Sequence, residues 1–208
     1  MAAPLRGSLL DGFDEVRLEP STPLHRTRLA HGAWVDLRPG WLRGADELFH
    51  RLVVSVPWRT ERRAMYDRVV DVPRLVRFYP ESAPLPDPIL DEARDALSDY
   101  YRSELGEPFR TAGLCYYRDG RDSVAWHGDT IGRGAHEDTL VAILTLGAPR
   151  PLLLRPRTGG PSLRFRPGHG DLLVMGGSCQ RTWEHSVPKA RPTVGPRISV
   201  QFRPRNVR

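Results

Sequence analysis

His127 and Asp129, separated by one residue, and the distant His185 are the side chains of this 208-residue chain best suited to hold a metal. Two imidazoles and one carboxylate leave coordination positions open on an ion, and that donor set suits Fe(II) working with O₂ and a chelating cosubstrate. On a strand, residues i and i+2 point to one side, so His127 and Asp129 can address the same ion while the third ligand comes from a neighbouring strand. Twelve residues after His185 the chain reads Arg197-Ile-Ser-Val-Gln-Phe-Arg203, where Arg197, Ser199, Gln201 and Arg203 share a face by the same period. The planar fork of arginine binds carboxylates through paired hydrogen bonds and keeps its charge, so this pair points to an anionic cosubstrate. A His-x-Asp pair alone is a weak signal, since most histidines are surface or core residues. The ordered set carries the reading.

These residues resemble the AlkB family of Fe(II)- and 2-oxoglutarate-dependent dioxygenases, of the bacterial type that repairs alkylated nucleic acid. The family pattern is His-x-Asp, a distal His and Arg-x-Asn-x-Thr-x-Arg; here Ser199 and Gln201 stand where Asn and Thr are usual. The family's Asn-x-Tyr appears as Cys115-Tyr116-Tyr117, keeping the tyrosine and losing the asparagine. Pro73-Arg-Leu-Val-Arg-Phe-Tyr79 and Gly170-Asp-Leu-Leu-Val-Met-Gly-Gly177 are similar to two further family segments, and the resemblance spans roughly residues 55 to 205. It implies His127, Asp129 and His185 as the catalytic iron ligands, with Arg197 on the distal carboxylate of 2-oxoglutarate and Tyr117 hydrogen-bonded to the same cosubstrate. Arg203 would lie near the other carboxylate end, and Ser199 would keep part of the asparagine contact. The resemblance also implies a double-stranded β-helix with helices packed on one sheet, and a nucleotide-recognition lid near residues 56 to 79.

That lid segment interleaves aromatics with cations, as stacking of bases and holding of phosphates require. Trp58, Arg62, Tyr66, Arg77 and Tyr79 are its substrate-binding candidates. The bland alternative is that Trp58, Phe78 and Tyr79 fill the core beside the helices. One departure bears on substrate. Family members that repair charged bases carry an acid shortly after the iron-binding Asp, where this chain has Thr130-Ile131-Gly132-Arg133, and Glu137 and Asp138 are the candidates to compensate.

The chain has net charge +6 and pI near 9.9, which favours polyanions. All but one of its basic residues are arginine, however, and codon bias produces the same imbalance. Only Cys115 and Cys179 are present, giving no disulfide framework and suiting a reducing cytoplasm. No signal-peptide run and no membrane-length apolar window is evident. The expectation is a cytoplasmic monomer acting on single-stranded or flipped-base DNA, or on RNA, without a membrane partner.

Residues 1–40 read as an extended arm with one strand or hairpin near Ala33–Leu37. Leu42–Val56 has apolar residues at helical spacing and stops before Pro57. Asp87-Pro88 opens a second helix running to Leu105, with Asp as N-cap, Pro in the first turn and Gly106 past the end. From Thr111 the texture changes to eight short strand-like runs, at 113–117, 123–127, 139–146, 152–155, 162–165, 171–175, 182–186 and 197–202. Such spacing suggests a jelly roll or related sandwich. The division expected is residues 1–80 as N-terminal extension and lid, and 81–208 as a mainly β dioxygenase core with flanking helices. The activity implied is oxidative demethylation of alkylated bases with Fe(II), 2-oxoglutarate and O₂, releasing succinate, CO₂ and formaldehyde. The alternatives are a hydroxylase or demethylase of a protein or small molecule, and a non-catalytic reader of modified nucleic acid.

Overall fold

The computed structural model describes residues 15–65 and 68–207, without the side chains of 61–71. Short strands β1 (Arg17–Leu18), β2 (His25–Arg28), β3 (Trp34–Arg38) and β4 (Leu42–Arg43) precede helix α1 (Ala45–Ser55). A long ribbon follows, β5 (Arg59–Met65) and β6 (Arg68–Tyr79), then helices α2 (Pro88–Tyr100) and α3 (Arg102–Leu105). The remaining elements are β7 (Thr111–Tyr117), β8 (Val124–His127), β9 (Val141–Gly147), β10 (Leu152–Pro156), β11 (Leu163–Phe165), β12 (Leu172–Gly176), α4 (Cys179–Thr182), β13 (Trp183–Val187) and β14 (Arg197–Arg203). All eight strands expected after Thr111 are therefore present, each within two residues of its expected bounds.

They form two sheets, a major one in the order β2-β3-β12-β9-β14-β7-β6-β5 and a minor one in the order β11-β10-β13-β8. The central strands β12, β9 and β14 of the major sheet are buried on both faces. Leu114, Leu144, Val174, Ile198, Val200 and Phe202 pack with the helices. The alternate residues Tyr117, Val141, Ile143, Leu173 and Met175 pack inward with Leu152, Leu154, Trp183 and Val187 of the minor sheet and the turn before it. Period two along each strand thus separates a helix layer from a barrel interior. This is the double-stranded β-helix, and β14, at the centre of the major sheet, turns Arg197, Ser199, Gln201 and Arg203 into the interior.

Each helix is set by its ends and one face. In α1, Asp46 and Glu47 sit in the first turn, where the helix dipole favours them, and Ala45, Leu48, Phe49 and Leu52 are buried. In α2, the Asp87 carboxylate accepts from Ile89 N, Pro88 occupies the first turn, and Ile89, Leu90, Ala93 and Leu97 are buried. The helix expected to run to Leu105 is interrupted at Tyr101. The tyrosine is 1% exposed; it stacks on Trp34 and its hydroxyl donates to the Asp36 carboxylate at 2.9 Å. Arg26 binds both oxygens of Asp36 at 2.7 and 2.8 Å. Asp36 is thus a buried charge with several partners, and it ties the outer β2–β3 hairpin to the body. Of the two options for the N-terminal arm, the structure has the hairpin. No helix among the described residues is long and apolar enough to cross a membrane.

Candidate metal centre

His127 ends β8 and His185 lies in β13, and the two are register partners across that antiparallel pair. Their rings therefore lie side by side, 4.2 Å between centroids. Asp129 follows two residues after His127, and ligand atoms of His127, Asp129 and His185 all lie within 4.8 Å of one another. Between the ligands, a side chain at Gly128 would place its Cβ 2.6 Å from the Gln180 carbonyl oxygen, so the close approach of α4 needs glycine there.

Two of the three donors, His127 and Asp129, are aimed by a second group. Nδ1 of His127 is 2.9 Å from Ala125 O; donation there leaves Nε2 as the bare nitrogen, 4.0 Å from Asp129 Oδ1. The other oxygen, Asp129 Oδ2, accepts from Arg203 Nε at 2.8 Å. The backbone N–H of Asp129 donates to Gln180 Oε1 at 3.0 Å. Gln180, 1% exposed, is a positioning residue that sequence reasoning missed, because a lone polar residue in Cys-Gln-Arg-Thr carries no pattern.

Protonation is set for metal binding. Burial, reinforced by His127, pulls the His185 pKa down to about 3. Burial lowers His127 as well, against the attraction of Asp129. Burial alone would raise Asp129, but Arg203 and His185 outweigh it and hold the carboxyl at about 2. At neutral pH the cluster is two neutral imidazoles and one carboxylate, the protonation state a divalent ion requires.

Beyond the triad, one cavity is lined by His127, His185, Tyr117, Arg197, Ser199, Gln201, Arg203, Cys115 and Arg74. Arg197 is 3% exposed, and its Nε and Nη1 have no hydrogen-bond partner among the described residues. Burying guanidinium N–H groups unpaired is costly, so this end of the cavity is built for an anion. The Arg197 guanidinium carbon also lies 5.1 Å from the centre of the Tyr117 ring. The residues present fit a ferrous ion and a dicarboxylate.

The segment ahead of Pro80 is placed differently from its sequence reading. Arg74 lines the iron-side cavity, and Phe78, of the same parity on β6, is 38% exposed. Arg77 and Tyr79 have the opposite parity, with Arg77 over the Tyr79 ring at 5.4 Å and Tyr79 buried in the helix-side core. Trp58 also packs on that side, its Nε1 donating to Val53 O and its ring 5.3 Å from Tyr116. The structure therefore does not bring Trp58, Arg77 and Tyr79 to the cavity; the side chain of Arg62, and Tyr66, lie outside the described residues. Both compensating acids are already paired, Glu137 with Arg133 and Asp138 with Arg181.

The fold and this donor set define a class, the oxygenases that use ferrous iron with a 2-oxo acid. Consistent with that, the model of the 2OG-Fe(II) oxygenase superfamily matches residues 42–203. The bovine "Alpha-ketoglutarate-dependent dioxygenase alkB homolog 3" is 30% identical over 212 residues, 93% of this chain and 70% of the bovine one. The bovine "DNA oxidative demethylase ALKBH2" is 28% identical over 182 residues, 76% of this chain and 64% of its own. Among solved structures, that of OsALKBH1 superposes with TM-score 0.61 at 15% identity, over 87% of this chain and 99% of that one. The chain belongs to the AlkB family of 2OG-Fe(II) oxygenases and is an Fe(II)/2-oxoglutarate-dependent dioxygenase.

Proposed function

We propose that the protein oxidatively demethylates alkylated bases in nucleic acid, releasing succinate, CO₂ and formaldehyde. The observation that carries this is the likeness along 93% of the chain to an alkB homolog, joined to an intact donor cluster. The name of the second relative, a DNA oxidative demethylase, supports the choice of substrate, as does the net charge of +6.

Iron(II) with 2-oxoglutarate and O₂ supplies the oxidising power that hydroxylates a C–H bond, and an N-methyl carbon so hydroxylated leaves as formaldehyde. The chain does the rest. His127, Asp129 and His185 hold the ion. Arg197 and Tyr117 take the distal carboxylate of the cosubstrate and thereby orient its chelating end toward the triad. Arg203 fixes Asp129 in one rotamer, and the apolar walls Val141, Ile143, Leu152 and Val187 exclude water. A methylated base in a duplex is buried in the stack, so the substrate is single-stranded or flipped. The β5–β6 ribbon at the sheet edge, within residues 1–80, is the recognition lid in this reading, and residues 81–208 carry the donors.

The test is anaerobic reconstitution with Fe(II), then 2-oxoglutarate, O₂ and a single-stranded oligonucleotide carrying 1-methyladenine or 3-methylcytosine. Loss of one methyl mass with formaldehyde, abolished in His127→Ala, is expected. Succinate without any change in the base sinks the proposal and favours the oxygenase of a protein or small molecule. That second reading draws on the pairing of Glu137 and Asp138 with arginines, which leaves neither acid to stabilise a cationic base.

Strand parity makes a sharper prediction within the lid. Phe78→Ala is expected to weaken oligonucleotide binding by about tenfold, as loss of one stacking partner at about 1–3 kcal/mol requires, with little change in melting temperature. Tyr79→Ala should do the reverse, removing a buried ring worth about 3–5 kcal/mol of stability. Fluorescence anisotropy and thermal melts on both variants decide it, and equal loss of binding in the two would refute the parity argument.

A further inference from the structure

Ser199 and Gln201 depart from the Asn and Thr of the family pattern, and the structure connects the two departures. Gln201 is 8% exposed and Ser199 2%, and both line the cavity holding Arg197 and Tyr117. The Gln201 amide nitrogen donates to Ser199 Oγ at 2.5 Å and to the Ser199 carbonyl at 3.1 Å, using both of its protons. Cys115 Sγ lies 3.8 Å from Gln201 Oε1 and accepts from Arg74 Nε at 3.3 Å. Gly113, register partner of Gln201, makes room: a Cβ there would come within 3.1 Å of Gln201 Oε1 and 2.9 Å of Arg203 Nη1.

Polarity follows from counting protons. A serine hydroxyl has one proton and two lone pairs. With a lone pair taken by the Gln201 amide, the proton of Ser199 is free for Tyr117. In the β14–β7 register Arg197 faces Tyr117 and Ser199 faces Cys115, so Ser199 and Tyr117 are diagonal neighbours on the cavity face. Burial pushes the Tyr117 hydroxyl up, with Arg197 and Ser199 pulling against it. A tyrosine oxygen that accepts from Ser199 keeps its own proton for a partner inside the cavity.

We infer that Gln201 is a positioning residue for the cosubstrate: through Ser199 it orients the Tyr117 hydroxyl to donate to the carboxylate held by Arg197. The amide that the family places on the first of these two positions is supplied here from the second, two residues along the same strand face. This rests on the reading that Arg197 and Tyr117 receive the distal carboxylate of 2-oxoglutarate. It goes beyond that reading in assigning the relay Gln201 to Ser199 to Tyr117.

The test is calorimetric titration of 2-oxoglutarate into the anaerobic Fe(II) protein, with turnover measured separately. Gln201→Met keeps the volume and removes the amide; its Kd should rise about tenfold, in the range found when a group behind a ligand contact is lost. Its kcat at saturating 2-oxoglutarate should stay within about twofold, since Gln201 touches neither the ion nor the reacting carbon. Gln201→Glu keeps the shape without the donor and should weaken binding as much, which covers the case in which the methionine variant does not fold. Ser199→Asn combined with Gln201→Thr returns the amide to its family position and should bring Kd back to within about threefold of wild type. Arg197→Met serves as control. If it loses binding while Gln201→Met and Gln201→Glu keep the wild-type Kd, the relay is wrong and the pocket reading stands; if Arg197→Met binds normally, the pocket reading fails and the relay with it.

Discussion

Asp129→Ala is expected to lower 2-oxoglutarate turnover by at least about a thousandfold and to leave the protein unable to retain iron, because it removes the charged ligand of three. A second effect is expected on the metal-free protein. Arg203 gives its Nε to Asp129 Oδ2 at 2.8 Å, with the arginine side chain 14% and the aspartate 6% exposed. Taking away one member of such a pair leaves the other without a counter-charge, at a cost of about 3–5 kcal/mol. Arg203→Met separates the roles: it keeps all three ligands, so iron affinity should fall only about 10- to 100-fold. Succinate formation, bound iron by elemental analysis and urea unfolding of the apo-proteins check all three statements. A metal-replete Asp129→Ala protein with wild-type turnover would remove Asp129 from the centre.

The same electrostatics fix a pH dependence. The folded-state pKa of His185, about 3, and that of Asp129, about 2, both lie below their unfolded values of about 6.5 and 3.9. For a depressed pKa the unfolded chain binds the proton more readily, so stability is full above the unfolded value and lost as pH falls toward the folded one. The apo-protein should therefore lose stability on acidification from about pH 6.5 toward 3 through His185, and further from about 4 toward 2 through Asp129. Iron affinity should stay nearly flat between pH 8 and 6, because the ligands have no proton to surrender there. A steep loss of iron near pH 6.5 would mean that the imidazoles are more solvated than their burial indicates.

Much of this site was legible in the chain because strand parity is a strict rule. His127 and Asp129 on one side, and Arg197, Ser199, Gln201 and Arg203 on another strand's single face, follow from period two alone, and all six line or adjoin one cavity. The eight β-runs after Thr111 were legible because turns rich in glycine and proline separate them. Parity also governs the lid: Arg77 and Tyr79 have suitable chemistry but share the face of β6 whose Tyr79 is buried in the helix-side core. Arg74 and Phe78 occupy the cavity-side face. Trp58 was ambiguous because an amphipathic ring suits core and surface equally. The break at Tyr101 had no local signal, and the side chain there is held by Asp36, far off in sequence, whose carboxylate takes the tyrosine hydroxyl. Gln180 was invisible for the same reason, since its partner is the backbone N–H of Asp129.

Arg197 should show stability and function moving in opposite directions. Its guanidinium is buried, burial pulls its pKa down, and Nε and Nη1 have no partner among the described residues. In the metal-free protein that arrangement is a net cost, and buried charges replaced by apolar residues of similar volume often leave a protein equally or more stable, by up to about 4 kcal/mol. Arg197→Met is therefore expected to melt at or above the wild-type temperature without ligand. Loss of the charged hydrogen bonds to the carboxylate should weaken 2-oxoglutarate by about a hundredfold or more. Saturating 2-oxoglutarate raises the melting temperature of a protein whose native state binds it, so the wild-type iron protein should shift upward on adding it and the variant should not. Arg197→Lys keeps the charge and loses the fork, and belongs between the two in affinity. A large drop in the ligand-free melting temperature of Arg197→Met would show instead that the guanidinium holds the barrel together, and that its unpaired N–H groups are not kept for a ligand.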